Sequence, residues 1–163
     1  MRPTLPLSEW RIAVDLNASR AIRSATGHPA EHCTCADCET WRSVVSDAFP
    51  PGIAAELQRL GVDVRHPTDL YVYDRSAETL DYRVMYHVVG RILSGPAPWL
   101  ASDVGGIDDR FHNYHAVQAK PTWVGLRVSA ARDSFEYAPD LPVGCKSDVL
   151  CIDFRLRVSV TGA

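Results

Sequence analysis

The sequence predicts a single α+β domain with a mainly antiparallel sheet and two or three short helices in its N-terminal half. Two observations carry this reading. Helical spacing of apolar residues is concentrated before residue 61, whereas from Thr68 onward the period changes to two and tyrosine and valine dominate. Strands that enclose a helical block and later follow one another through hairpin-length connections favour an antiparallel arrangement over a doubly wound parallel sheet. The 163 residues, 46% hydrophobic and 23% charged, fit one domain spanning 1–163 with enough chain to bury a proper core.

The elements follow in order. Trp10, Ile12, Val14 and Leu16 alternate with Glu9, Arg11 and Asp15, which predicts a half-buried strand over residues 8–16. Asn17 stands where a helix cap belongs, with Ala18, Ala21, Ile22 and Ala25 at helical spacing before Gly27-His28-Pro29. Trp41, Val44, Val45 and Ala48 recur at three and four residues, predicting a second helix over 37–49 that Pro50-Pro51 stops. A third runs from Pro51 through Ile53, Leu57 and Leu60 to Gly61, with proline at the entrance and glycine at the exit.

Leu70–Tyr73 and Tyr82–Leu93 read as a hairpin joined by Asp74–Asp81. Residues 94–110 contain Gly95, Pro96, Pro98, Gly105 and Gly106 and read as a long irregular loop. Val124, Leu126 and Val128 mark another strand, and Leu150, Ile152, Phe154, Leu156, Val158 and Val160 alternate through the last.

Composition narrows the function. A formal net charge of -3, with 17 basic residues scattered and no polybasic run, argues against nucleic acid as a partner. No apolar stretch approaches the length of a membrane span, and the opening Met1-Arg2-Pro3-Thr4-Leu5-Pro6 lacks the apolar run of a secretory signal. The expectation is a soluble, cytoplasmic protein with no membrane partner. Five cysteines, an odd number without an export signal, favour reduced thiols or metal ligands over a disulfide framework.

Three of those cysteines lie in the run His32-Cys33-Thr34-Cys35-Ala36-Asp37-Cys38 at the mouth of the second helix. A turn entering a helix brings residues three apart to one point, so Cys35-x-x-Cys38 is a two-ligand bite for a thiophilic cation, zinc first among them. Cys33 supplies a third ligand, and His28, His32, Cys145 and Cys151 are the candidates for a fourth. One Cys-x-x-Cys pair is half of a four-ligand zinc motif, so two other readings stand beside it. In one, Cys35 is a thiolate stabilised by the helix N-terminus and Cys38 resolves it. In the other, the thiols are small apolar residues with no chemistry.

Two other regions attract attention. His87 alternates with Met85, Val89 and Leu93 and reads as a hydrogen-bonded core residue. The segment from Asp103 to His115 collects carboxylates, imidazoles and aromatics beside Gly105 and Gly106, yet Asp108-Asp109 fits no calcium loop and His112-x-x-His115 lacks the context of a zinc protease. Cys151, Asp153, Arg155 and Arg157 share the face of the last strand opposite its apolar stripe, which reads as a solvent face with cross-strand ion pairs or as a ligand-facing surface.

The Cys35/Cys38 element, Phe49-Pro50-Pro51, Leu60-Gly61-Val62-Asp63 and Tyr86-His87-Val88-Val89-Gly90-Arg91-Ile92 together resemble a family of small uncharacterised bacterial proteins over residues 10–95. The C-terminal strand, ending Arg157-Val158-Ser159-Val160, departs from that family's tryptophan-containing finish. The resemblance implies a stand-alone bacterial domain with cysteines before a helix and carries no catalytic residue with it. The expected function is thus a zinc-binding module with a structural, binding or regulatory role and an unidentified protein or small-molecule partner. A metal- or thiol-dependent enzyme joining the cysteines to the 103–115 loop is the alternative. An interaction or immunity-type protein anchored by Trp99, Tyr114 or Trp123 is the third.

Overall fold

The computed structural model of the chain describes residues 2–26, 32–97, 114–118, 122–130 and 148–160. Its strands are β1 (Thr4–Leu7), β2 (Trp10–Val14), β3 (Asp69–Arg75), β4 (Thr79–Ser94), β5 (His115–Gln118), β6 (Val124–Ala130) and β7 (Val149–Ser159). Its helices are α1 (Leu16–Thr26), α2 (Ala36–Ala48) and α3 (Pro51–Arg59). The seven strands form an antiparallel sheet ordered β1-β2-β4-β7-β6-β5, with β3 also paired to β4. The α+β class and the N-terminal placement of the helices are as the sequence predicts.

Two elements differ. Strand β1, which the sequence reading missed, folds onto β2 with Pro6 opposite Arg11. The cap of α1 is Asp15 and not Asn17, because the Asp15 carboxylate accepts from the Ala18 N–H at 3.0 Å. Gly61 leaves α3 with a φ of 80°, the left-handed exit that a glycine supplies without strain.

β2 and β3 share one edge of β4. Between them that edge is satisfied by the segment entering α1 and the residue before β3: Asp15 N–H donates to the Val89 carbonyl, Val89 N–H to Ser19 Oγ, and Thr68 N–H to the Met85 carbonyl. At the other end of the order, His115 of β5 meets Trp10 of β2 edge-on at 5.2 Å between ring centroids, so the sheet curls until β5 comes against β2.

The first face of the sheet carries the core. Tyr82, Val84, Tyr86 and Val88 of β4 and Leu150, Ile152, Phe154, Leu156 and Val158 of β7 pack with Trp41, Val45, Phe49, Ile53 and Leu57 from α2 and α3. Phe49 meets Phe154 edge-on at 5.0 Å and Trp41 at 6.1 Å, aromatic contacts that add to plain area burial. On this face the Tyr82 and Tyr86 hydroxyls find carbonyls: Tyr82 donates to Asp37 and Tyr86 to Val64, each at 2.7 Å.

The second face corrects the sequence reading. Cys151 and Asp153 are 1% and 0% exposed, so the polar stripe of β7 is not a solvent face. The expected cross-strand ion pairs are present within it. Asp153 Oδ2 accepts from Arg83 Nη2 at 2.6 Å, Arg127 Nη2 at 2.5 Å and the Tyr114 hydroxyl at 2.7 Å, while Arg83 Nε reaches Oδ1 at 3.0 Å. Burial opposes the charge on Arg83, and the contact with Asp153 outweighs it and raises the guanidinium pKa. Arg157 makes a second two-pronged pair with Asp81, at 2.6 and 2.7 Å.

His87 is buried on this same face opposite Cys151, as expected of a core residue. Its expected hydrogen bond is missing, since neither ring nitrogen has a partner among the described residues. Burial therefore pushes its pKa down to about 4, against a weaker opposing pull from Asp153.

Two outcomes are expected. Asp153→Asn leaves Arg83 and Arg127 buried without their shared carboxylate and should cost about 3–5 kcal/mol in urea unfolding. Between pH about 6.5 and about 4 the unfolded chain protonates His87 while the folded chain does not, so stability is lost as pH falls through that window. The loss is on the order of 3 kcal/mol, and His87→Leu should flatten that part of the stability–pH curve relative to the parent protein.

Candidate metal centre

The cysteine run turns into α2 in an orderly way. Cys35 is the residue before the helix, extended at φ -71° and ψ 153°, and its carbonyl accepts the first helical bond from Glu39 at 3.1 Å. One helical turn later Cys38 points inward among the core residues, and Cys33 packs on the rim of that core. Arg42, reaching back along α2, donates from Nη1 to the Cys33 carbonyl at 2.9 Å and holds the incoming segment over the helix. The result is a graded cluster in which Cys38 is buried, Cys33 half-buried and Cys35 exposed.

The Sγ atoms of Cys33, Cys35 and Cys38 all lie within 4.8 Å of one another, and those of Cys33 and Cys35 are 3.2 Å apart. Three convergent sulfurs at this separation are compatible with a shared cation, because zinc–thiolate bonds of about 2.3 Å span such gaps.

The cluster is also anchored to the sheet. Arg75, at the end of β3, grips the Asp37 carboxylate with contacts of 3.0 and 2.9 Å, and Tyr82 of β4 donates to the Asp37 carbonyl. Asp37, Arg75, Tyr82 and Arg42 escaped the sequence reading. Only Asp37, an acidic residue in a first helical turn, gives any local signal of its place.

Each thiol sits in a different field. The Cys38 backbone N–H, then the neighbouring thiols of Cys33 and Cys38, lower the pKa of Cys35, although no full capping hydrogen bond is formed. Cys38 goes the other way: burial first, then its two thiol neighbours, push it up to about 12. The site thus holds one readily ionised sulfur at the surface and one that keeps its proton inside.

No known protein family, curated protein or solved structure matches this chain. The remaining residues singled out in the sequence are placed as follows. Among the described residues the metal-type cluster consists of Cys33, Cys35 and Cys38 alone, so exposed His32 is not drawn into it. Cys151 is not drawn in either. It alternates with Leu150 and Ile152, which face the helices, and so points to the opposite side of the sheet from Cys38. A clasp between helix and sheet through Cys151 is thereby excluded.

His28, Cys145, Trp99 and His112 lie outside the described residues. Of the 103–115 segment, Tyr114 and His115 are described, and His115 rests against Trp10, outside the cluster. Tyr114 is 6% exposed and is no surface anchor, and Trp123 is half-buried with its indole across Gly125. No helix among the described residues is long and apolar enough to cross a membrane.

Exposure and lowered pKa together single out one thiol. Iodoacetamide at neutral pH should alkylate Cys35 fastest and Cys38 slowest in chelator-treated protein, as peptide mass spectrometry would resolve. Equal rates at the two positions would contradict the field described here.

Proposed function

We propose that this protein is a metal-binding module in which Cys33, Cys35 and Cys38 hold one thiophilic cation, zinc in a cytoplasmic setting, as a structural or regulatory element. The observation that carries the reading is the convergence of the three sulfurs within 4.8 Å at the sheet-anchored start of α2. Three thiolates are a soft donor set, suited to zinc or copper(I) and poorly suited to magnesium or calcium. The bound ion would supply a cross-link that ties the segment before α2 to the helix. Cys38 gives up its proton as the cation is taken on, so affinity should fall as pH falls.

A structural role fits the surroundings better than a catalytic one. The groups around the thiols are the Asp37–Arg75 pair and the Arg42 contact to the Cys33 carbonyl, both spent on holding α2 in place. His115, the described histidine of the 103–115 segment, is engaged with Trp10.

Protein purified without chelator should carry about one equivalent of zinc by inductively coupled plasma mass spectrometry. Cys33→Ser, Cys35→Ser and Cys38→Ser should each reduce it substantially, whereas Cys151→Ser should not. Chelation should lower the melting temperature of the parent protein and leave that of Cys35→Ser nearly unchanged. Metal-free protein with three freely titratable thiols in the run would overturn the proposal.

A further inference from the structure

On the second face of the sheet Arg155 is held without a counter-charge among the described residues. Arg155 of β7 has its guanidinium carbon 4.7 Å from the Tyr73 ring centroid and 5.0 Å from that of Tyr114. These ring contacts fix the guanidinium but use none of its N–H donors. Among the described residues Arg155 makes no hydrogen bond or ion pair, and its Nε is buried without a partner.

The strand register makes this position unusual. Across β4 and β7 on this face, Asp81 stands opposite Arg157 and Met85 opposite Asp153, but Arg83 stands opposite Arg155. Like charges directly opposite one another repel, and here both sit on a largely buried face. The nearest carboxylate along β7, Asp153, is already used by Arg83, Arg127 and Tyr114. Asp81, the next on β4, is gripped at both oxygens by Arg157. On the remaining side Arg155 has Gly125 of β6 for its cross-strand neighbour. That position has no side chain of its own, and the Trp123 indole lies across it: a Cβ there would fall 1.9 Å from the ring.

We propose that Arg155 anchors an oxyanion-binding site on this face, taking the phosphate or carboxylate group of a small molecule. A guanidinium held in plane by aromatic rings presents its N–H fork edge-on, the geometry that accepts two oxygens of one anion. The incoming charge relieves the repulsion between Arg83 and Arg155, and the surrounding tyrosine and tryptophan rings shield it from water. This site lies on the opposite face of the sheet from the helices that carry the cysteine cluster, and its test is independent of any metal.

The test follows the arginine Nε–Hε signals of the ¹⁵N-labelled full chain by NMR, assigned through bonds in the parent protein. Inorganic phosphate and then acetate are titrated in at ionic strength held constant with chloride. The expected result is a saturable shift of the Arg155 Nε–Hε signal with at least one of the two anions. Response to phosphate alone assigns the phosphate class, to acetate alone the carboxylate class, and to both a general oxyanion site. Arg155→Lys, which keeps the charge and loses the fork, should weaken binding about tenfold, whereas Arg157→Lys should not. Absence of a saturable Arg155 shift with either anion overturns the proposal, as does an equal loss of affinity in Arg157→Lys. If Arg155→Lys fails to fold, the parent signal alone decides.

Discussion

Strands β4 and β7 pair antiparallel from Thr79 opposite Ser159 to Val89 opposite Val149, and this ladder commits every side chain along it to one of two faces. A slip of one residue would exchange the faces completely. Tyr82, Tyr86 and Phe154 would leave the helices, and Arg83, Arg155 and Asp153 would be driven into the apolar core. The helical layer is therefore slaved to this register. Besides each other, Phe49 and Trp41 find aromatic partners where β4 and β7 present Tyr82 and Phe154, and the Tyr82 hydroxyl reaches Asp37 at the start of α2 from the same ladder. The cysteine cluster inherits its place from that contact.

The two faces handle charge differently. On the helix-covered face the Tyr82 and Tyr86 hydroxyls end on backbone carbonyls, while the Trp41 indole N–H is buried without a hydrogen-bond partner among the described residues. The other face buries a network in which one carboxylate, Asp153, serves two guanidiniums and a phenol. Such networks add little net stability over an apolar core but are costly to break, so they enforce a particular arrangement. His87, neutral and without a hydrogen-bond partner among the described residues, marks the edge of that network.

Much of the first face was readable in residue order. The spacing of Trp41, Val44 and Val45, the Pro50-Pro51 break and the Gly61 exit are local signals, and local signals are what helices and turns obey. Strand β1 escaped because Pro3 and Pro6 argue against a ladder, and an edge position is what makes Pro6 tolerable. Alternation separated Asp153 and Arg155 from the core correctly, but period two says nothing about whether the polar face is covered. Cys151 shows the reverse. Its parity with Asp153 was enough to set it on the far side from Cys38, yet residue type drew it into the ligand list. The convergence of Cys33, Cys35 and Cys38 was visible because six consecutive residues at a helix entrance have few ways to arrange themselves.

The long strands of this sheet lie inside it, and its rims are short or interrupted. β1 has four residues and contains Pro6, which has no N–H to offer. β5 also has four and is broken by an irregularity between Ala116 and Gln118, and β3 carries one between Val72 and Asp74. An incoming chain that tried to extend the sheet would meet a missing donor or a kink at each of these rims. The 16 residues of β4, the stretch best able to template aggregation, are thus held inside the sheet, with β7 along one edge and β2 and β3 along the other. Self-association through strand addition is disfavoured by the geometry of the margins, whatever the centre of the sheet binds.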